Sequence, residues 1–254
     1  ATYELLPSGV DPEEIAIAEQ RGDTDYLNRL QNFAAQISAD SGLIPGLAID
    51  PSGSWTFDPS NEIYKTLPAG DDLVLKVNYQ AVDANGLAGD NYFFLTITGT
   101  NDAPVATFTD PQFTTEDDIA PLTGQLTASD IDSSNLDYQL IGAPIDGLSI
   151  NPDGSWEFDS TNSAYQNLAE GETRDLNVTY NVTDDNGASS NNSFTITLTG
   201  SNDAPLATFE FDQYTTEGNQ AIQGQLTSTD IDAGDTATYE LLPSGVDPEE
   251  IAIA

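Results

Sequence analysis

The sequence predicts an all-β protein of tandem two-sheet sandwiches, one type of which carries a helical insertion. Short runs such as FTIT at 194–197 alternate apolar and polar residues, as strands with one buried face do. Turn signals separate these runs, among them Asp-Gly at 153–154 and Asn-Gly at 186–187. The whole pattern repeats along the chain, which indicates an array of similar domains.

Repeats occur at two lengths. Residues 1–18 return letter for letter as residues 237–254, so the sequence closes on itself after 236 residues. Within that cassette, residues 47–104 align without a gap to residues 148–205, which gives a unit of 101 residues. We therefore expect the chain to be a segment of a longer protein of near-identical cassettes, and the two copies of the 18-residue repeat to share one fold.

The repeats divide the chain into three predicted domains. Residues 1–102 form the rear part, strands C to G, of an insert-bearing sandwich. Residues 103–203 form one complete sandwich. A match between residues 106–132 and 207–232 shows that residues 204–254 open the next insert-bearing sandwich with strands A to C.

About seven strands in roughly 100 residues, with turns roughly every 8 to 12 residues, describe an immunoglobulin-like sandwich of two antiparallel sheets. In the complete domain the predicted strands are A (106–115), B (121–129), C (136–141), D (147–150), E (155–158), F (174–183) and G (192–199).

The insert-bearing domain has about 34 additional residues between strands C and D, at 12–45, and they predict helix. Residues 12–20 begin with proline and two acids, which suits a short first helix. A second helix follows an N-cap at Asp23 or Thr24. Its apolar positions either close over their own sandwich as a flap or contact a neighbouring repeat or chain. These positions are Leu27, Leu30, Phe33 and Ile37.

Composition restricts the class of partner. Aspartate and glutamate number 43 against 5 lysines and arginines, so the formal charge is −38. This charge excludes nucleic acid as a partner and opposes binding to an anionic membrane surface. Because the chain has no cysteine to cross-link its small domains, we expect bound metal to stabilise them instead.

The predicted strand directions gather acidic loops at two linkers. Each linker carries Asn-Asp, at 101–102 and at 202–203. The loops of the flanking domains bring acids to the first linker: Asp71, Asp72, Asp130, Asp132, Asp184 and Asp185. They bring another set to the second linker: Glu116, Asp117, Glu170, Glu172, Asp230 and Asp232.

Such clusters predict calcium. Two like charges about 5 Å apart repel by roughly 3 kcal/mol at an effective dielectric near 20, so several carboxylates need a cation between them. Ca²⁺ accepts oxygen ligands at flexible angles, and the sequence has no His or Cys for a transition metal. The alternative is that the acidic loops are solvated turns, in which Asp and Asn occur because their side chains suit the turn backbone.

The run DGSWEFD, AYQNLAEGE, VTDDNGASS and TITLTGSNDAP, within residues 153–205, resembles the VCBS repeat. VCBS repeats are cadherin-like modules of very large bacterial surface proteins and adhesins exported by type I secretion. The resemblance covers almost the whole chain except the insert, and the linkers TGTNDAP (98–104) and TGSNDAP (199–205) are its most specific motifs.

The resemblance implies tandem cadherin-like sandwiches at the bacterial cell surface, with calcium at the linkers. By similarity to the calcium motifs of cadherins it implies a ligand set: Asn101, Asp102, Glu116, Asp130, Asp132, Asn202, Asp203, Glu217, Asp230 and Asp232. One loop departs from the pattern, reading VDANG at 82–86 against TDDNG at 183–187. The number of ions at each linker is therefore left open.

The predicted function is a structural extender of a long secreted bacterial adhesin or extracellular fibre. Its partners are neighbouring repeats, and lateral or helical self-association is left open. No constellation of catalytic residues is present, which argues against an enzyme. The alternative is a module that binds carbohydrate or another cell directly, with Trp55 and Trp156 stacking on sugars. Phe follows each Trp by two residues, the spacing of one face of a core strand, so packing is favoured and exposure decides.

Overall fold

A computed structural model describes residues 1–39 and 42–240. The fold is mostly β, as predicted, with two helices in the described residues. The predicted third domain and the second copy of the 18-residue repeat both extend into residues 241–254, outside the described range. The domain boundaries at 102 and 203 stay a prediction.

The elements of the insert-bearing domain, in chain order, are β1 (Thr2–Leu5), β2 (Gly9–Val10), α1 (Pro12–Arg21), α2 (Thr24–Ala39), β3 (Leu47–Ile49), β4 (Trp55–Phe57), a 3-10 turn (Glu62–Thr66), β5 (Asp72–Val82) and β6 (Ala88–Thr98). The remaining elements are β7 (Val105–Ala106), β8 (Gln112–Thr115), β9 (Leu122–Gln125), β10 (Ala128–Ser129), β11 (Leu136–Leu140), β12 (Leu148–Ile150), β13 (Ser155–Phe158), β14 (Thr173–Asp184), β15 (Ser189–Thr199), β16 (Leu206–Ala207) and β17 (Ser228–Thr229).

Residue contacts divide the chain into two compact units. The first comprises residues 1–107, 127–138 and 181–191, and the second comprises 108–126, 139–180 and 192–254. The first linker lies in the first unit and the second linker in the second unit. None of the described helices has the length and apolar character needed to span a bilayer.

The first domain is built on β5. This strand pairs with β1 and β2 and, along its whole length, with β6 in an antiparallel ladder. Alternate residues of β5 point to the core, so Leu73, Leu75 and Val77 are fully buried. β3 and β4 form a separate hairpin.

The two helices of the insert cover this core. Asp11 caps α1 by accepting from the Glu13 N–H (3.2 Å), and Gly22 ends it with a positive φ of 68°. Asp23, one of the two predicted caps, accepts from the Tyr26 N–H (3.0 Å) at the start of α2.

The predicted apolar face of α2 packs on its own domain. Leu30, Phe33 and Ile37 are buried in the same core as the β5 side chains, and Leu27 is partly buried against it. This is the flap arrangement. A contact of these four residues with a partner stays a prediction. Because they are buried or partly buried, a partner would first contact other side chains of the insert.

The complete domain has two sheets, in the strand orders β11–β14–β15–β8 and β12–β13–β9. Predicted strand A is split in two: β7 pairs with β10, and β8 pairs in parallel with β15. Pro111, which has no N–H to donate, lies where the chain crosses between these pairings. Trp156 of β13 packs on Phe194 of β15 with ring centroids 5.2 Å apart, which closes the core between the sheets.

Candidate metal centres

Three carboxylates meet at the second linker. Glu116 follows β8 and is completely buried, Asp203 belongs to the linker itself, and Asp232 lies in the loop after β17 with only 3% of its surface exposed. One oxygen of each lies within 4.8 Å of the others. All three were predicted as ligands from the sequence.

Backbone N–H groups hold one oxygen of each of two carboxylates in this cluster. Ser201 N donates to Glu116 Oε1 (2.8 Å), and Asp203 N donates to Asp232 Oδ2 (2.8 Å). The Asp232 N–H in turn donates to Asp230 Oδ1 (3.0 Å), which shapes the loop that carries both aspartates.

The cluster also contains three buried oxygens without a hydrogen-bond donor among the described residues: Glu116 Oε2, Asp203 Oδ2 and Asp232 Oδ1. Burial raises the pKa of Glu116, and it also raises the pKa of Asp203, further increased by the negative charge of Asp117 and Asp232. A buried acceptor that lacks a donor is costly. Three such acceptors on hard oxygen ligands fit a calcium ion.

A second group shares Asp232. Asp230, Asp232 and Asp235 also bring one oxygen each within 4.8 Å of one another. Asp235 was not predicted. The signal that identifies it is the spacing DxDxxD at 230–235, closed by Gly234 at a φ of 90°.

The first linker repeats part of this geometry. Asp102 N donates to Asp132 Oδ2 (3.2 Å), and Asp132 N donates to Asp130 Oδ1 (2.9 Å). Asp130 Oδ2 and Asp132 Oδ1 are buried without a donor in the described part of the chain. Burial and the hydrogen-bonded Asp130 raise the pKa of Asp132 to about 6.

Asparagine side chains also form hydrogen bonds at the first linker. Asn101 Nδ2 donates to Asp184 Oδ2 (2.8 Å), and Asn186 Nδ2 donates to Asn101 Oδ1 (3.1 Å). Among the described residues, no three carboxylates converge here within 4.8 Å. The amides Asn186 and Asn135, which binds Asp185 Oδ2 (2.8 Å), were not predicted.

Other predicted ligands of the first linker have partners outside these clusters. Asp71 forms an ion pair with Arg29 of α2. Asp72 accepts from Thr98 Oγ1 (2.6 Å) across the β5–β6 ladder. The insert thus supplies a cation to Asp71 that the loop sequence did not indicate.

The remaining predicted ligands of the second linker lie at its edge. Asp117 accepts from the Ser201 hydroxyl, and Glu172 Oε2 accepts from the Ala169 N–H (3.2 Å). Asn202 Nδ2 donates to the Asp203 carbonyl (3.1 Å). Glu170 is exposed. Glu217, which the resemblance implied as a ligand without assigning it to either linker, is exposed as well.

The two tryptophans differ in exposure. Trp156 is 2% exposed and packs as predicted, whereas Trp55 is 49% exposed. Trp55 lines an open groove of about 280 Å³ together with Tyr3, Tyr79 and Phe93. The equal spacing of Trp and Phe in the two domains gave no signal of this difference.

Residues 101–197 match the family described as bacterial Ig domain. A search of curated proteins finds no match. The solved structures that are similar to this chain include three cadherin structures of low identity. Human CDH23 EC21–23 is 14% identical over 92% of this chain and 69% of that chain, with a TM-score of 0.49. Mouse cadherin-23 EC22–24 is 17% identical over 75% of this chain and 63% of that chain, with a TM-score of 0.41.

Protocadherin gamma B7 EC1–4 is 18% identical over 74% of this chain and 47% of that chain, with a TM-score of 0.39. The chain thus spans less than two thirds of the last two structures. The fold is mostly β, and residues 101–197 are similar to the family described as bacterial Ig domain.

Proposed function

We propose that the chain is an extender segment of a long secreted bacterial adhesin or extracellular fibre, and that Ca²⁺ at its linkers stiffens it. The supporting observation is the buried cluster of Glu116, Asp203 and Asp232, in which each side chain keeps one oxygen without a donor. The tandem repeats and the bacterial Ig-like domain support the extracellular setting at the cell surface.

The cluster suits this role because its members come from three segments. Glu116 lies near the start of the complete domain, Asp203 is in the linker that ends this domain, and Asp232 follows the linker. An ion held by all three ties the segments together. Without the ion, each close pair of charges repels by roughly 3 kcal/mol at an effective dielectric near 20, so the linker loosens.

Calcium fits better than magnesium. Ca²⁺ takes about 6 to 8 oxygens at variable angles, whereas Mg²⁺ demands near-ideal octahedral geometry and keeps several waters. The shared Asp232 suits two neighbouring ions, one in each carboxylate group. We expect dissociation constants of about 10⁻⁴ to 10⁻³ M, as in extracellular modules, or tighter.

Calcium titration of the whole chain, with calorimetry and small-angle scattering, tests the proposal. We expect calcium to raise the melting temperature of the chain and to narrow the range of molecular dimensions seen by scattering. Glu116→Gln combined with Asp232→Asn removes two ligands of the cluster, and Glu157→Gln is the matched control on an exposed strand position. Equal affinity and equal scattering profiles for all three proteins would rule the proposal out.

Direct binding of carbohydrate is the second candidate, and the exposure of Trp55 is the observation that favours it. Its groove has several rings but few convergent polar groups, and the Ser52 hydroxyl at its edge already binds Asp50. Sugar sites need several placed polar groups beside the stacking ring. Titration of Trp fluorescence with oligosaccharides tests this candidate, and an unchanged spectrum would exclude it.

A further inference from the structure

The insert places a positive charge at the first linker. Arg29 of α2 forms an ion pair with Asp71 through Nη2 and Oδ2. Among the described residues, Asp71 is the one predicted calcium ligand that forms an ion pair with a cationic side chain. Arg29 belongs to residues 12–45, which have no counterpart in the complete domain. The insert therefore changes the charge at this linker and not at the second one.

The loop that carries Asp71 has the same backbone contacts in both domains. Repeat alignment places Glu172 at the position of Asp71. The Gly99 N–H donates to the Asp71 carbonyl (2.8 Å). The Gly200 N–H donates to the Glu172 carbonyl, also at 2.8 Å. A Cβ built at either glycine would come within 2.3 Å of a carbonyl oxygen of the loop, so loop and linker are in close contact in both domains. The two acids thus have equivalent positions, and of the two only Asp71 has an ion-pair partner among the described residues.

Tyr26 holds Arg29 in this position. It lies three residues earlier on α2, and its hydroxyl donates to the Asp72 carbonyl (2.8 Å). The guanidinium carbon of Arg29 lies 5.9 Å from the centre of the Tyr26 ring, within the range of a cation–π contact. The tyrosine therefore fixes both the helix and the guanidinium beside the loop.

The guanidinium still has a donor to spare. Arg29 Nε is buried and has no acceptor among the described residues. Arg29 also lines an open groove of about 490 Å³ together with Pro68 and Asp132. Asp132 is another predicted calcium ligand, and arginine stays protonated in proteins. The permanent charge of Arg29 thus acts on this linker aspartate as well as on Asp71.

We propose that Arg29 is a resident counter-cation of the first linker, which engages Asp71 and keeps calcium from it. The inference rests on the proposed calcium sites. Because the guanidinium is part of the chain, a chelator cannot remove it. Asp71 becomes a calcium ligand only when Arg29 is replaced. The first linker therefore needs less calcium than its acids alone indicate, and it keeps part of its charge compensation in chelator.

A role in stability alone does not account for the pair. Both side chains are 32% exposed, and ion pairs with this much exposure contribute little to the free energy of unfolding, because solvent and salt screen them. A cation beside a carboxylate acts differently on metal binding, since it repels a second cation and competes for the ligand. We therefore expect Arg29 to affect calcium affinity more than stability.

Calorimetric calcium titration tests the inference in a chain whose second linker is disabled. Glu116→Gln combined with Asp232→Asn removes the cluster there, so the remaining affinity reports the first linker. In this background, Arg29→Gln frees Asp71 and removes a repelling charge. We expect calcium affinity to rise about tenfold, or about 1.4 kcal/mol. Glutamine has nearly the helix propensity of arginine, so α2 is retained, which circular dichroism checks.

Lys76→Gln is the matched control, because it removes the same charge elsewhere. Lys76 lies five residues beyond Asp71, in β5, which corresponds to about 16 Å of extended strand. This is about twice the Debye length at physiological salt. The Lys76 ammonium lies 4.2 Å from the centre of the Tyr92 ring and forms no ion pair among the described residues. We expect its replacement to change calcium affinity less than about twofold.

A second arm asks whether Asp71 is a ligand only in the absence of Arg29. Asp71→Asn should lower calcium affinity about tenfold more in the Arg29→Gln chain than in the chain that keeps Arg29. Equal losses in the two chains would overturn the inference, because Asp71 would then contribute alike with and without its partner. Arg29→Met, a second uncharged helix former, should give the same gain as Arg29→Gln, and a gain confined to one of them would also contradict a charge effect.

The outcomes separate this inference from the proposed function. If the wild-type chain binds no calcium, the proposed function fails and the inference fails with it. If the wild-type chain binds calcium and Arg29→Gln gains no more affinity than Lys76→Gln, only the inference is overturned. A gain specific to Arg29→Gln, together with a larger loss on Asp71→Asn in that chain, supports both.

Discussion

The first domain and the complete domain share their sequence pattern from strand D to the linker, yet two matched features have different surroundings. The indole of the complete domain is 2% exposed and that of the first domain is 49% exposed. The second linker gathers three carboxylates within 4.8 Å, and the first gathers no such group among the described residues. In the complete domain, the segment of strands A and B supplies both the cover of the indole, through Phe108 and Gly124, and one carboxylate of the linker cluster, Glu116.

Truncating the two tryptophans should give the largest contrast. Trp156→Ala leaves a cavity in a closed core and is expected to cost about 3 to 5 kcal/mol of unfolding free energy. Trp55→Ala removes a half-exposed ring from an open groove and is expected to cost less than about 2 kcal/mol. Urea unfolding in chelator measures both costs. Equal costs would contradict the difference in exposure between the two rings.

The linker aspartates should give the next contrast. Asp203→Asn removes a member of the complete carboxylate cluster, so most of the stabilisation by calcium should be lost. That stabilisation is about 2.7 kcal/mol when calcium is present at 100 times its dissociation constant. Asp102→Asn should lose a smaller part, because among the described residues only Asp130 and Asp132 lie nearby with buried oxygens that lack donors. Differential scanning calorimetry with and without calcium measures the difference, and identical losses would contradict it.

Much of this fold follows from the sequence because strands and turns are local signals. The alternation at 194–197 falls within β15, and the helical spacing at 27–37 falls within α2. The split of strand A into β7 and β8 was not predicted, because it depends on which neighbour each half finds: β10 for one and β15 for the other.

Part of the candidate site was also predicted, because its positions within the repeats are a local signal. Glu116, Asp203 and Asp232 occupy recognisable positions in the repeats, and their carboxylate oxygens lie within 4.8 Å of one another. Asp71 was assigned to the linker by strand direction, but Arg29 lies in an insert with no counterpart in the complete domain, so its ion pair with Asp71 had no signal. The exposure of Trp55 depends on which strands pack over it, which its own sequence neighbourhood does not record.

The pH dependence in chelator should distinguish the linkers further. Asp132 has a folded pKa of about 6 against an ordinary value of 3.8, so protonated Asp132 favours the folded state. Its contribution is fully present below about pH 3.8 and is lost as the pH rises through 6. We therefore expect the melting temperature in chelator to fall between about pH 4 and pH 6, and to fall less in Asp132→Asn. Parallel curves for the two proteins would contradict this, since the many other acids are common to both.

The smallest expected effect concerns the loop after the paired aspartates. Asp235 joins Asp230 and Asp232 at the second linker, and the matching position at the first linker is Asn135, whose amide binds Asp185. Calcium affinity depends on the number of charged ligands. Because both side chains are exposed, we expect Asp235→Asn to weaken calcium binding by less than about tenfold, or about 1.4 kcal/mol.

Asn135→Asp should strengthen calcium binding at the first linker by a similarly small factor, at the cost of a repulsion from Asp185 that the amide now avoids. Calorimetric titration of the two single variants and of the double exchange measures the effect. If Asn135→Asp gains as much calcium affinity at the first linker as Asp235→Asn loses at the second, this position acts alike in both linkers. If both variants lose calcium affinity, the first linker requires the Asn135 amide and not a third carboxylate.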